Sequence, residues 1–180
     1  HALKIVICSA SDENYRDLLY KLVLSIRNKP TGRDVAIAIL DTGMSAATKT
    51  RLEGLVDHLV SPGWDIDLSM HGMDEEWFRT SRRYQAMTAR ASLPRYFPGY
   101  DVYLWLDADC WVQDWHAVEL LIEGARDGAL CIAAEIDRSY SNSYDHGELA
   151  KWSHDQNSRF FGPEVAKQLF GYPILNCGVF

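Results

Sequence analysis

The sequence predicts an α/β domain built on a mostly parallel, Rossmann-like sheet with helices on both faces. Three observations carry that reading. Short apolar runs rich in Val, Ile and Leu recur along the chain, largely free of charge, as strands buried on both faces require. Between them lie segments with apolar residues three and four apart, the spacing of amphipathic helices. The two kinds alternate, and strand–helix–strand order is the signature of parallel crossovers.

Leu3 to Cys8 reads as the first strand. Ser11 or Asp12 can cap a helix to about Ile26, with Leu18, Leu19, Leu22, Val23 and Ile26 as its apolar stripe and Lys29-Pro30-Thr31-Gly32 as its stop. Val35 to Leu40 is the second strand and ends in Asp41-Thr42-Gly43. Ser45 caps a second helix that turns Leu52, Leu55, Val56 and Leu59 to the core, and Trp64 to Met70 alternates as a third strand. Arg79 to Tyr96 is helical in its first part and broken by Pro94.

Val102 to Leu106 is the next buried strand, followed by a helix near Val118 to Arg126 and a strand from Leu130 to Ile136. Asp137 to Arg159, with Tyr140, Tyr144 and Trp152, is polar and aromatic. It reads as a long surface loop with short helices and offers an acceptor-binding surface. A helix near Pro163 to Phe170 precedes a last strand, Ile174 to Phe180, where the chain stops without a polar tail. That strand lies at a sheet edge, or residues 1–180 are a single domain that forms the N-terminal part of a longer one.

The 180 residues are 47% apolar and 24% charged, the make-up of a globular domain with a sizeable core. A net charge of −7 argues against general nucleic-acid binding. No apolar stretch approaches the roughly 18 residues of a transmembrane helix. Cys8, Cys110, Cys131 and Cys177 lack metal-ligand spacing and read as small core thiols of a reducing compartment. No Asn-x-Ser/Thr acceptor occurs, which also favours the cytoplasm. A start trimmed to His1 leaves a Golgi lumen open.

Chemistry concentrates in three places. Asp107-Ala108-Asp109 ends a buried strand, where carboxylates need a partner. Positions i and i+2 of a strand share a face, so both carboxylates can converge on one hard cation, magnesium or manganese. Two solvated aspartates at a loop entry are the plain alternative. Ala10-Ser11-Asp12-Glu13-Asn14-Tyr15 follows the first strand; Asp12 and Asn14 can bond a base edge and Tyr15 can stack on it, or the segment is an ordinary helix cap. Between Trp77 and Tyr100 stand Arg79, Arg82, Arg83, Arg90 and Arg95 without an acid. On one helix Arg79, Arg83 and Arg90 would share a face, fit either for a pyrophosphate or simply for solvent. Asn176-Cys177-Gly178 places an amide in an apolar strand, where it needs partners, and Asp137 is a carboxylate at another strand end.

Taken together these segments resemble the retaining glycosyltransferases of family 8, the glycogenin and lipopolysaccharide galactosyltransferase type, which have a GT-A (nucleotide-diphospho-sugar transferase) fold. Ala10 to Tyr15 is similar to the family's opening motif, Thr88-Ala89-Arg90 to its Tyr-Ala-Arg segment, and Tyr103 to Asp109 to its Tyr-Leu-Asp-x-Asp metal motif. Asn176-Cys177-Gly178-Val179-Phe180 is similar to its Asn-Ala/Ser-Gly-Val strand, and Ile136-Asp137 falls at its sugar-contacting aspartate.

The resemblance implies hexose transfer from a UDP-sugar to a glycan, lipid-linked or protein hydroxyl, with retention and with Mn2+ or Mg2+. Asp107 and Asp109 would be the metal ligands. Ala10, Ser11, Asp12, Asn14, Tyr15, Arg90, Ala108 and Gly178 would bind the donor, and Asp137 and Asn176 would orient its sugar. The resemblance would also fit a cytoplasmic protein peripheral to the inner membrane face. The family continues past the Asn-x-Gly strand with an Asp-Gln segment and a metal-binding histidine. Asp155-Gln156 precedes that strand, so these residues cannot supply them in order. A non-catalytic UDP-sugar-binding module is the alternative. A haloacid-dehalogenase-type phosphatase, which also ends a strand in Asp-x-Asp, is disfavoured because the motif follows three predicted strands.

Overall fold

The computed structural model describes residues 3–67, 74–134, 148–169 and 175–180. Two compact units form: His1–Cys131 together with Gly178–Phe180, and Ile132–Cys177.

The first unit is built on a four-stranded parallel sheet, β1 (Ile5–Ser11), β2 (Ala36–Asp41), β3 (His58–Val60) and β4 (Val102–Trp105), in the order β3-β2-β1-β4. β1 is central: Val6 to Ser11 pair with Ala36 to Asp41 on one side, and Ile5 to Cys8 with Val102 to Trp105 on the other. The period of two sorts the core into layers. Ile7, Ile37, Ile39 and Leu104 pack with Leu19, Leu22, Val23 and Ile26 of α1 (Arg16–Arg27). Val6, Cys8, Ala38, Leu40 and Trp105 pack on the opposite face with Ala86, Ala89, Leu93 and Phe97. Both faces are thus covered by helices, as the apolar runs predicted.

Ser45 caps α2 (Ala46–Leu52) as expected, its Oγ accepting from the Thr48 N–H at 3.2 Å. The helix ends at Leu52, because Glu53 turns extended and Gly54 takes a left-handed φ of 76°. Leu55 and Val56 reach the core from the loop, while Leu59 lies on β3 and is exposed. The third strand is therefore His58–Val60 and not Trp64 to Met70. Pro62, lacking an N–H, closes it. Residues 64–67 are outside any strand, and 68–70 fall outside the described residues.

The predicted long helix before β4 is three short ones: α3 (Glu75–Thr80), α4 (Tyr84–Ala89) and α5 (Leu93–Tyr96), with a 3-10 turn, Arg90–Ser92, between the last two. Pro94 does not break a helix. It sits in the first turn of α5, where its missing N–H costs no bond. Arg79 consequently lies on a different helix from Arg83 and Arg90, which flank α4 at its two ends, and the basic block is opposed. Arg79 faces Glu76, Arg95 pairs with Asp65 and Arg90 with Asp107.

After β4 comes α6 (Trp115–Gly124), capped by Asp114, whose carboxylate accepts from the His116 N–H at 2.9 Å. The predicted terminal strand is short in this unit: Trp105 and Phe180 exchange backbone bonds of 2.6 and 3.2 Å, and Leu106 bridges Val179 antiparallel.

In the second unit the expected strand from Leu130 reduces to an antiparallel bridge of Ala134 with Leu175; residues 135 and 136 fall outside the described residues. The expected loop yields α7 (Glu148–Phe161), followed by α8 (Pro163–Leu169). Helix formers such as Glu148, Leu149, Ala150 and Lys151 open α7, and its overall polarity hid the periodicity. The core-thiol reading holds for Cys8, whose burial pushes its thiol up to about 12. Cys110 and Cys131 are half-buried and Cys177 is exposed, and none of the four is in a disulfide.

Candidate functional site

In the first unit the crossover carrying α1 leaves β1 on one side of the sheet, and the helices preceding β4 cover the other. The strand order reverses between β1 and β4, and such a switch point opens a crevice beyond the carboxyl ends of the strands. A cavity of about 260 Å³ lies there. Ala10, Ser11, Asp12 and Tyr15 line it from the end of β1, Thr42 from the end of β2, and Asp107, Ala108 and Asp109 from the end of β4. Arg83, Tyr84, Ala86, Met87 and Arg90 close it from the helical side. Its size is just under the roughly 300–1,000 Å³ of ordinary small-ligand pockets, which suits part of an elongated ligand.

The Asp-x-Asp motif is arranged differently from the expectation. Asp107 is still held in the ladder, its N–H donating to the Gly178 carbonyl at 2.8 Å, but Ala108 and Asp109 form a turn closed by the Cys110 N–H on the Asp107 carbonyl at 2.9 Å. Strand alternation therefore does not align the two carboxylates; the turn brings both to the cavity. Asp109 is exposed. The Asp107 side chain is 34% exposed and engaged: its Oδ1 accepts from Arg90 Nη2 at 2.7 Å and from Trp105 Nε1 at 2.7 Å. Arg90 also lies over the Trp105 ring, 4.8 Å from its centroid, a cation–π distance.

The loop after β1 is shaped by its own side chains. Asp12 does not cap α1 directly. Its Oδ1 accepts from the Asn14 and Tyr15 N–H groups at 2.9 and 3.2 Å, its Oδ2 accepts from Asn14 Nδ2 at 3.2 Å, and helix α1 starts only at Arg16. Such an Asx turn satisfies donors that precede the helix. Asn14 thus supports Asp12 and is not itself a lining residue, whereas Tyr15 lines the cavity and is half exposed.

Glu13, which sequence reasoning gave no role, ties this loop to α2. It accepts from the Ser45 N–H at 2.8 Å, the Thr48 hydroxyl at 2.9 Å and the Ser45 hydroxyl at 3.1 Å. The Ser45 N–H and the Thr48 hydroxyl hold its carboxyl below the usual range. At the end of β2, buried Asp41 takes the Gly43 and Met44 N–H groups at 2.9 and 2.7 Å and Lys49 Nζ at 2.7 Å. Burial pushes its carboxyl up, but Lys49 and the two amides outweigh burial and hold it low.

Thr42, Tyr84, Ala86 and Met87 are lining residues to which the sequence reading gave no role. Asp41-Thr42-Gly43 carried a usable signal for the first, since β2 is parallel to β1 and ends beside it. Met87 and Tyr84 carried none. Asn176 belongs to the second unit, where its N–H donates to the Ala133 carbonyl at 2.8 Å. Asp137 lies outside the described residues. Among the described residues no group of three or more His, Cys, Asp and Glu side chains forms a metal cage, and no helix is long and apolar enough to cross a membrane.

This arrangement, a parallel sheet with helices on both faces and a cavity at the switch point, is the GT-A glycosyltransferase fold. The particular likeness is to the galactosyltransferase LgtC. Its complex with donor and acceptor sugar analogues matches at a TM-score of 0.55 and 20% identity, over 97% of this chain and 56% of LgtC. An active-site mutant of LgtC matches at 0.55 and 21%, over 97% and 55%. The chain thus spans just over half the length of these proteins. No protein-family profile and no curated protein sequence matches it.

Proposed function

We propose that this chain carries the donor-binding part of a metal-dependent glycosyltransferase that moves a hexose from a UDP-sugar to a glycan, lipid-linked or protein hydroxyl with retention. One observation supports this most: the cavity at the switch point of a GT-A fold collects three carboxylates, Asp12, Asp107 and Asp109, against two guanidiniums, Arg83 and Arg90. Three negative charges against two positive leave −1, which repels a bare diphosphate. A divalent cation reverses the sign to +1 and admits it.

The donor set fits magnesium or manganese. It offers oxygen ligands only, and such cations are commonly held by one or two carboxylates completed by substrate phosphates. Asp107 and Asp109 would hold the ion, which when bound neutralises charge on the departing UDP. Arg90 adds a second cation for the diphosphate. Tyr15 offers its exposed ring for stacking on the base, with the Asp12–Asn14 turn fixing the loop. Ala10, Ser11 and Ala108 shape the wall, and Gly178 holds Asp107 through its carbonyl. Asn176 and Asp137 would orient the sugar.

A sugar-nucleotide-binding unit without turnover is the second reading, since the cavity offers groups to hold a nucleotide but no named nucleophile. Titration calorimetry with UDP, with and without Mn2+, tests the first step, and NMR of the products from UDP-hexoses tests the second. UDP binding that requires Mn2+ and is lost in D107N and D109N is expected, with an α-linked product from an α-linked donor. Tight UDP binding in EDTA would overturn the metal assignment. Mn2+-dependent binding without turnover selects the second reading, and phosphomonoester hydrolysis would return the phosphatase.

A further inference from the structure

We propose that Trp105 is a positioning residue for the metal-binding carboxylate: its indole N–H fixes the rotamer of Asp107 and leaves one oxygen for a divalent cation. This rests on the proposed metal role of Asp107. Trp105 is fully buried at the end of β4, where its ring stacks with Phe180 at 6.4 Å and 16°. A buried indole N–H needs an acceptor, and here the acceptor is Asp107 Oδ1 at 2.7 Å.

Arg90 Nη2 reaches the same oxygen, also at 2.7 Å, while its guanidinium lies over the indole face. Two donors from different directions therefore commit Oδ1, and neither touches Oδ2. The consequences differ between them. Arg90 is a cation, and a phosphate can compete with the carboxylate for its guanidinium. Trp105 is locked by the core and cannot follow. The indole thus holds Asp107 in place whether or not Arg90 has left it, and a carboxylate that keeps its orientation binds an ion without a rotameric cost. Outer-shell donors of this kind are typically worth 10- to 100-fold in metal affinity.

W105F tests the idea, since phenylalanine keeps an aromatic ring on the core face and removes the N–H, together with the bulk of the fused ring. Mn2+ binding in the presence of UDP, read by electron paramagnetic resonance of free Mn2+, is expected to weaken about tenfold or more, with the far-UV circular dichroism and a cooperative melting transition, at a lower temperature, retained. In D107N the same change is expected to alter residual Mn2+ affinity little. If the wild type binds no Mn2+, the metal reading itself fails. If the wild type binds and folded W105F binds equally well, the positioning role is overturned.

Should W105F not fold, the wild-type indole N–H signals decide. Trp105 is 1% exposed, so its indole proton is expected to exchange slowest with D2O among the six tryptophans. That signal is expected to shift when Mg2+ and UDP are added together, and a signal that stays fixed while Mg2+·UDP binds would overturn the proposal.

Discussion

Asp41 makes the sharpest stability prediction because it is a buried carboxylate whose partners are all identified. Its Oδ1 takes two backbone N–H groups, and its Oδ2 takes Lys49 Nζ at 2.7 Å. Asp41→Asn keeps a carbonyl oxygen for the two amides but sets an NH2 against the lysine ammonium. Losing a hydrogen bond between charged groups costs about 1.5–3 kcal/mol. Breaking a fully buried ion pair costs about 3–5 kcal/mol, but the Lys49 side chain is 42% exposed and can turn to water, so the lower range applies. We expect D41N to lose about 2 kcal/mol, or roughly 4–8 °C in melting temperature for a domain of this size.

The sign with pH follows from the depressed carboxyl of Asp41. Its stabilisation is fully present above the usual carboxylate range and is lost as pH falls through the folded-state value. Urea titrations of wild type and D41N are therefore expected to differ most near neutrality and to converge in acid. A difference independent of pH, or none near neutrality, would refute the account.

Two further predictions concern the frame of the cavity. S45A removes the cap on the Thr48 N–H and one of three bonds to Glu13, and it is expected to cost about 1 kcal/mol in urea denaturation; an unchanged midpoint would refute it. G32A would place a Cβ 2.1 Å from the Ile26 carbonyl oxygen and 3.0 Å from the Trp115 ring. That crowding is expected to cost about 1–3 kcal/mol by overpacking, and a variant as stable as wild type would show that the turn at Thr31–Arg33 gives way freely.

The sheet was legible where the chain carries its own evidence. β1, β2 and β4 are buried on both faces, so Ile5 to Cys8, Ile37 to Leu40 and Leu104 to Leu106 announce themselves as apolar runs. The Ser45 cap is equally local. β3 was misplaced because three residues hold too little pattern; its pairing with Ala38 to Leu40 makes it a strand, and that partner is remote in sequence. The last two helices before β4 looked like one because their apolar contacts, Ala86, Ala89, Leu93 and Phe97, follow a helical spacing through the 3-10 turn at Arg90–Ser92, which only the backbone reveals.

The site follows the same division. Asp107, Asp109, Arg90 and the Asp12 loop stand out as charges at strand ends, and the rule for parallel sheets brings strand ends together. What could not be read was which pair the period of two joins. Applied to Asp107 and Asp109 it fails, because the backbone turns after Asp107. Applied one step earlier it holds: Trp105 and Asp107 are i and i+2 while the chain is still extended and paired with Gly178–Phe180, and their side chains meet at 2.7 Å. The alternation argument was sound and its frame was displaced by two residues. A rule of strand geometry reaches only as far as the ladder does, and in this chain the ladder ends on the carboxylate itself.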